Sequence, residues 1–536
     1  MYVEEIKTKS SSGKVHSCFL LRESWREGRK TRKKTIANIS HLPKQEIEAL
    51  RQALRKKDAG AARDDINLSS GKIIGTLHVV AELMKRLGIM DVLGSSRSGA
   101  LCAWLIFARL VEQGSRLSSV RLAQRHDLNK LGLGDFDEND LYEALDWLGD
   151  RQEEIQQKLF KKSYGDKKPQ LFLYDVTSSY VEGSENELAC WGYNRDKKKG
   201  KMQIVFGLLT DEAGKPIAVE IFEGNTSDQK TFVELVKNFA KRFGVEKVTF
   251  VGDRGMIKSG GIEELHKNDF FYITAITKPQ IKTLMNNEVI QLGLFDNEIQ
   301  EVEDGGIRYI LRRNPQRAVE LQDTRMSKFN KLLEKAQDET KYLAEHPKAS
   351  AKKAKERLES LAKRLHIDSI VTVSVDNKKC LVEAMEDKWK ESAELDGCYV
   401  LKTDVPSSTA DKLVIHQRYK DLAKVERGFR TIKTGLLEVR PIWLRKEKRT
   451  RAHVFICMLA YMVSLEINKI VTEDEKIDDI LQQLNRIAII DVEIAGVSVP
   501  TIPTPPLEIQ SILDRLDITL PDLKPAPIKR RTRKSA

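Results

Sequence analysis

Three acidic residues stand where packing alone explains them poorly. Asp175 sits in Leu171-Phe-Leu-Tyr-Asp-Val-Thr, Asp253 in Val248-Thr-Phe-Val-Gly-Asp-Arg-Gly, and Glu426 in Tyr419-Lys-Asp-Leu-Ala-Lys-Val-Glu-Arg-Gly-Phe-Arg-Thr-Ile-Lys433. The first two end short apolar runs that read as buried strands, and the third lies on a basic helix. At ~4 Å and an effective dielectric near 20, each pair of carboxylates repels by on the order of 4 kcal/mol. A fold that gathers three of them therefore calls for cations. Mg²⁺, with Mn²⁺ as its substitute, takes oxygen ligands and keeps positions open for water and phosphate. Two such ions can activate an attacking oxygen and stabilise a leaving one. The chemistry these residue types suggest is metal-dependent phosphoryl transfer.

The surroundings of Glu426 carry a second signal. Tyr419, Glu426, Arg430 and Lys433 fall at i, i+7, i+11 and i+14, one face of a helix. Between residues 412 and 451 there are 13 Lys or Arg against 4 Asp or Glu. A surface so charged holds a nucleic-acid backbone by salt-sensitive contacts. The same spacing has a plainer reading, a solvated face on which Glu426 pairs with Arg430 at i+4. Arg254 and Arg427, each next to one of the carboxylates, are further candidates for DNA contact, and pairing with an acid is the alternative for Arg254.

Whole-chain properties agree with a polyanionic partner. The 536 residues carry a formal net charge of +12, which attracts nucleic acid. Six scattered cysteines without a C-x-x-C pair give neither a zinc site nor a disulfide framework. The N-terminus has no signal-peptide pattern, and the apolar stretches 100–111 and 454–465 are too short to cross a bilayer. The expected location is the cytoplasm, at the nucleoid.

The elements that would position the carboxylates follow from periodicity. Residues 171–176, 202–209, 216–222, 247–251 and 270–276 read as strands. Phe232, Leu235, Val236, Phe239 and Phe243 make the apolar stripe of a helix between the third and fourth. In the resulting β-β-β-α-β-α-β order, Asp175 on the first strand and Asp253 after the fourth become neighbours. Residues 281–405 interrupt this core with Lys/Ala/Glu-rich helices at 323–345 and 350–365 and strands at 370–375 and 398–402. The chain divides into a basic module (1–60), a helical DNA-end-binding region (61–165), the core in two parts (166–280 and 406–470), the insertion, and a C-terminal extension (471–536) with a proline-rich basic tail. The tail after about 497 is expected to be largely extended or disordered, and 60–70 reads as a linker. Residues 71–165 hold either a helix-turn-helix or a helical support.

The run Tyr419-x2-Leu422-x3-Glu426-x6-Lys433 resembles the Y-x2-R-x3-E-x6-K signature of cut-and-paste DDE transposases from bacterial insertion sequences, with Leu422 in place of the Arg. Val251-Gly-Asp-Arg-Gly-Met256 resembles that family's second-aspartate motif, Tyr174-Asp-Val-Thr177 its first, and Gly224-Asn-Thr-Ser-Asp228 another of its segments. The resemblance implies an α/β ribonuclease H-like catalytic core with an insertion before the last catalytic helix; the element pattern makes that core a mixed five-stranded sheet flanked by helices, the insertion an α+β subdomain and the N-terminal DNA-binding region largely helical. It implies Mg²⁺ on Asp175, Asp253 and Glu426, and DNA phosphates on Tyr419 and Lys433. Arg430 joins these by helical geometry, and Leu422 puts one DNA contact in question. The implied activity binds terminal inverted repeats, hydrolyses the phosphodiester at the transposon end and joins the 3′-OH to double-stranded target DNA, as a homodimer in a synaptic complex. Two rivals stand beside it: a structure-selective nuclease on the same core, and an inactive DNA-binding relative. Weaker candidates keep two readings each: Asp228 as site residue or helix cap, the Arg195–Lys201 loop as DNA contact or solvated hairpin, and Trp389 and Trp443 as base-stacking or packing residues.

Overall fold

The computed structural model describes residues 1–9, 15–27, 30–55, 66–295, 299–494 and 497–521. The first 55 residues form a small module. Strands β1 (Tyr2–Lys9), β2 (Val15–Glu27) and β3 (Lys30–Asn38) make an antiparallel meander. Val3, Phe19, Leu21 and Ala37 from the strands share a core with Ile47 and Leu50 of the helix Lys44–Arg55. Of the segment read as a linker, residues 60–65 lie outside the described residues. Residues 66–70 belong to β4 (Ile66–Ile73).

Three long helices follow, Gly75–Arg86, Arg97–Val111 and Glu138–Tyr164. Ser96 caps the second by accepting from the Gly99 N–H at 3.1 Å, and Asp137 with Asp140 forms a capping box on the third. Arg97–Val111 is buried almost all round, as a helix apolar on every side must be. It packs against Glu138–Tyr164 and against Glu447–Asn468. This last helix is long and apolar enough to cross a membrane, yet most of its apolar stretch is buried inside the protein, which is the behaviour of a core helix.

The central sheet is larger than the five strands expected. Its members are β5 (Leu171–Tyr180), β6 (Gln203–Asp211), β7 (Pro216–Glu223), β8 (Thr249–Val251), β9 (Phe271–Ala275), β10 (Gln300–Asp304) and β11 (Ile307–Arg313). A separate hairpin, β12 (Val371–Asp376) and β13 (Lys379–Ala384), precedes the last member, β14 (Cys398–Thr403). The strand order is β10-β11-β14-β9-β8-β5-β6-β7. The expected five therefore run β9-β8-β5-β6-β7, and three strands from residues 281–405 extend the β9 edge. The physical reason is pairing: β14 lies antiparallel to β9 with Leu401 opposite Ala275, and β11 lies antiparallel to β14. Buried Arg308 ties this edge down, donating to the carbonyls of Val405 at 2.6 Å and Ala410 at 2.9 Å. The rest of the insertion has its own core, where the helices Pro315–Glu345 and Ala351–Leu365 pack with β12 and β13. The first of these helices starts at Pro315 rather than 323, since Asn314 caps it and proline suits the first turn.

Helix Asp228–Phe243 covers one face of the sheet, and Leu422–Lys433 and Glu447–Asn468 cover the other. The C-terminal region is folded rather than extended over 497–521. Strands β15 (Ala488–Ile494) and β16 (Val497–Thr501) pair in the order β16-β15-β4. Helix Leu507–Leu516 buries Ile509, Ile512, Leu513 and Leu516 in the main core. Residues 522–536 lie outside the described residues.

Candidate active site

Backbone register brings the two aspartates level. β5 and β8 are parallel, with Leu171 opposite Thr249 and Leu173 opposite Val251. Asp175 and Asp253 each come two residues after the last of these pairs, Asp253 just past the carboxyl end of β8 and Asp175 midway along β5, which runs on to Tyr180 rather than ending near 176. Along β5, Asp175 shares a face with Leu171 and Leu173. Helix Leu422–Lys433 packs on that face. Val425, Phe429 and Ile432 are its buried side, and the Phe429 ring meets Phe206 edge-on with centroids 5.6 Å apart. Glu426 follows Val425 at the exposed margin of that packing.

The electrostatics join these residues. Burial pushes the Asp175 carboxyl up to about 7, against the Val176 N–H that donates to it at 2.8 Å; the Asp253 and Glu426 charges add to the rise and Arg195 opposes it. Asp253 is exposed, and its Oδ1 accepts from the Arg254 N–H at 2.7 Å. Burial raises the Tyr419 phenol, with Asp253, Asp175 and Glu426 adding and Arg254 opposing. Three carboxylates, one phenol and Arg254 therefore share one field. Among the described residues none of the three carboxylates is in an ion pair, so Glu426 does not pair with Arg430 there. Nor, among those residues, do three or more His, Cys, Asp or Glu stand gathered tightly enough to hold a metal ion.

The segment expected as one helix through Tyr419 and Lys433 is two, Lys412–Lys420 and Leu422–Lys433, meeting at Asp421. Asp421 itself keeps helical angles (φ −64°, ψ −14°). Arg427 and Arg430 are exposed beside Glu426. Lys433 turns inward: its Nζ lies 2.5 Å from Asp196 Oδ1 and donates to the Ser178 carbonyl at 2.7 Å and Thr177 Oγ1 at 3.0 Å. Burial lowers its pKa, and Asp196 opposes the shift.

Asp196 was missed in the sequence reading. Its side chain is 1% exposed, pairs with both Lys433 and Arg440, and accepts from the Tyr180 N–H at 3.1 Å. The available signal was its place as the single acid among the basic residues 195–201. Arg195 lies 2.5 Å from Asp228 Oδ1, which links Asp228 to the site. The capping side chain of helix Asp228–Phe243 is that of Ser227, which accepts from the Lys230 N–H at 3.4 Å. Trp389 packs against Phe329, whereas Trp443 is 71% exposed.

Residues 166–463, more than half of the chain, match the family model of the transposase DDE domain, and residues 3–67 match the N-terminal domain of IS1634 family transposases. The chain belongs to the DDE transposases of insertion sequences. The transposase is thus an enzyme of DNA cleavage and strand transfer with an α/β core, and DNA is its partner. Its family works with divalent metal ions. A structure of a piggyBac transposase synaptic complex with hairpin DNA is 9% identical, with a TM-score of 0.33 over 70% of this chain and 76% of that one. That likeness fixes neither fold nor residue correspondence. No curated protein matches the transposase.

Proposed function

We propose that Asp175, Asp253 and Glu426 are the acidic triad of a ribonuclease H-like core that cuts the transposon ends and joins them to target DNA. The observation that carries this is the level placement of Asp175 on β5 and Asp253 just past the end of parallel β8, with Asp175 raised by burial and by the charges of the other two. The order β9-β8-β5-β6-β7, with β8 and β9 parallel to β5, supports the ribonuclease H-like assignment.

The donor set fits Mg²⁺, or Mn²⁺ in its place. All three candidate ligands are hard carboxylate oxygens, and among the described residues none is held in an ion pair. Neutralising their mutual repulsion is what would draw them into a coordination set. Bound there, divalent ions would polarise the scissile phosphate and activate water or a 3′-OH. Tyr419 donates to a phosphate near the cleaved end, and Lys433 and Arg440, held by Asp196, form a cationic wall behind it. Arg254, Arg427 and Arg430 hold the backbone from the exposed side. The N-terminal 165 residues bind the terminal inverted repeats, the insertion 281–405 interrupts the core before the Glu426 helix, and residues 471–536 extend it. Two copies bring two ends together in the cytoplasm, at the nucleoid.

The test is strand cleavage of a labelled duplex carrying the element's own end, with Mg²⁺ or Mn²⁺. Cleavage by the parent should fall at least a thousand-fold in Asp253→Ala with end binding retained, and transfer into a second duplex should separate a transposase from a nuclease. Binding without cleavage by the parent favours the inactive relative. Cleavage that survives the substitution removes Asp253 from the site.

A further inference from the structure

We propose that the β2–β3 ribbon is the arm that enters the major groove of the element's end. This rests on the reading that the N-terminal region binds those ends and narrows it to one element. The module's core stops at Leu21 and Ala37, where the pairing of β2 with β3 shifts register between Leu21 and Arg22. Beyond that point the two strands continue. Residues 22–26 and 30–35 contain no buried side chain. A two-stranded hairpin without a covered face is marginal in water, so a ribbon that leaves its core this way gains its rigidity from what it meets.

Its charge says what that is. Arg22, Arg26, Lys30, Arg32, Lys33 and Lys34 stand against Glu23 and Glu27, a net of four positive charges on the ribbon's paired residues. The root is fixed by Arg22, 2.5 Å from Glu4 Oε2 on β1 and 3.2 Å from Thr35 Oγ1 on β3. From there the register pairs Glu23 with Lys34, Ser24 with Lys33, Trp25 with Arg32, Arg26 with Thr31 and Glu27 with Lys30. Residues alternate between faces and opposite partners share one, so Lys30, Arg32 and Lys34 stand on the face of Trp25 and Glu23, with Glu27 paired to Lys30, while Arg22, Arg26 and Lys33 take the other, where Lys33 lies 3.4 Å from Glu4 Oε1. A ribbon of net positive charge suits a groove walled by phosphates, and the major groove, ~12 Å wide, admits a two-stranded ribbon. Trp25, 47% exposed at the ribbon's outer part, offers an apolar surface to base edges. Helices Gly75–Arg86, Arg97–Val111 and Glu138–Tyr164 instead feed the main core, and β4 pairs with β15.

The experiment uses the full chain with a labelled duplex bearing its own terminal repeat and a shuffled duplex, over a range of salt. Substituting Lys30→Ala, Arg32→Ala and Lys34→Ala together should weaken binding to both duplexes at least ten-fold. It should also flatten the plot of log affinity against log salt by about two to three. Trp25→Ala should leave that slope unchanged and cut the preference for the true end at least five-fold, which a merely structural role would not do. A parent chain that cleaves its end while the triple variant binds as tightly removes the ribbon and leaves the transposition reading standing. A parent that neither binds nor cleaves the end sinks both. A triple variant that turns a DNA-free dimer into monomers, with DNA binding unchanged, would assign the ribbon to a second copy of the chain and overturn the proposal.

Discussion

At the scale of residues, Asp175 carries the site's pH dependence. Its carboxyl titrates near 7 in the folded chain because it is buried beside two like charges, against an ordinary value near 4 when unfolded. Between those values the native state holds a proton that the unfolded chain has released. The carboxyl's contribution to stability is therefore complete below about pH 4 and is lost as pH rises through about 7. Asp175→Asn, measured in EDTA, should match the parent near pH 4 and exceed it at pH 8 by roughly 2–4 kcal/mol. Mn²⁺ should then raise the melting temperature of the parent and not of the variant. A difference independent of pH would overturn the account of a buried, repelled carboxylate. The three acids were legible in sequence because each stood at an odd place, two at the ends of apolar runs and one on a basic helix face. Asp196 was not, since the residues that explain it, Lys433 and Arg440, lie more than 200 positions away and meet it only through the fold.

At the scale of elements, the site depends on how closely β5 sits on β6. Gly207 stands opposite Val176 in the register, and a Cβ there would fall onto the hydroxyl of buried Tyr174, the residue before Asp175. Gly207→Ala should cost about 1–3 kcal/mol by overpacking and depress end cleavage. Adding Tyr174→Phe should restore part of both, read by urea unfolding and by the cleavage assay. No recovery in the double variant would mean that the damage runs through the backbone instead. Strands β5 to β9 were readable because each is a short apolar run between turn residues. β10 was not: Gln300-Glu-Val-Glu-Asp304 has one apolar residue, as an edge strand can. β14 was recognisable as a strand, but its place beside β9 is a long-range pairing that no local pattern encodes. The break at Asp421 was invisible because helical periodicity runs straight through it.

At the scale of the molecule, the two ends of the described chain play opposite parts. The N-terminal module keeps Val3, Phe19, Leu21, Ala37, Ile47 and Leu50 in a core separate from the main one. The segment from β16 to residue 521 is part of the main body: His78 Nε2 lies 2.9 Å from the Thr519 carbonyl, and Arg86 donates to the Leu516 carbonyl at 3.0 Å. Removing residues 1–55 should therefore shift the main thermal transition by no more than about 2 °C, a loss of at most about 2 kcal/mol for a chain of this size, while binding to the true end drops to the level of a shuffled duplex. Truncation after residue 496 strips Ile509, Ile512, Leu513 and Leu516 from the core. Each such side chain is worth about 1.5–3 kcal/mol, so this variant should melt many degrees lower or fail to accumulate. Calorimetry on both truncations decides between this arrangement and its reverse. A main transition that collapses when residues 1–55 are removed would make the N-terminal module a structural part of the catalytic body, and it would count against a separately folded DNA-reading arm.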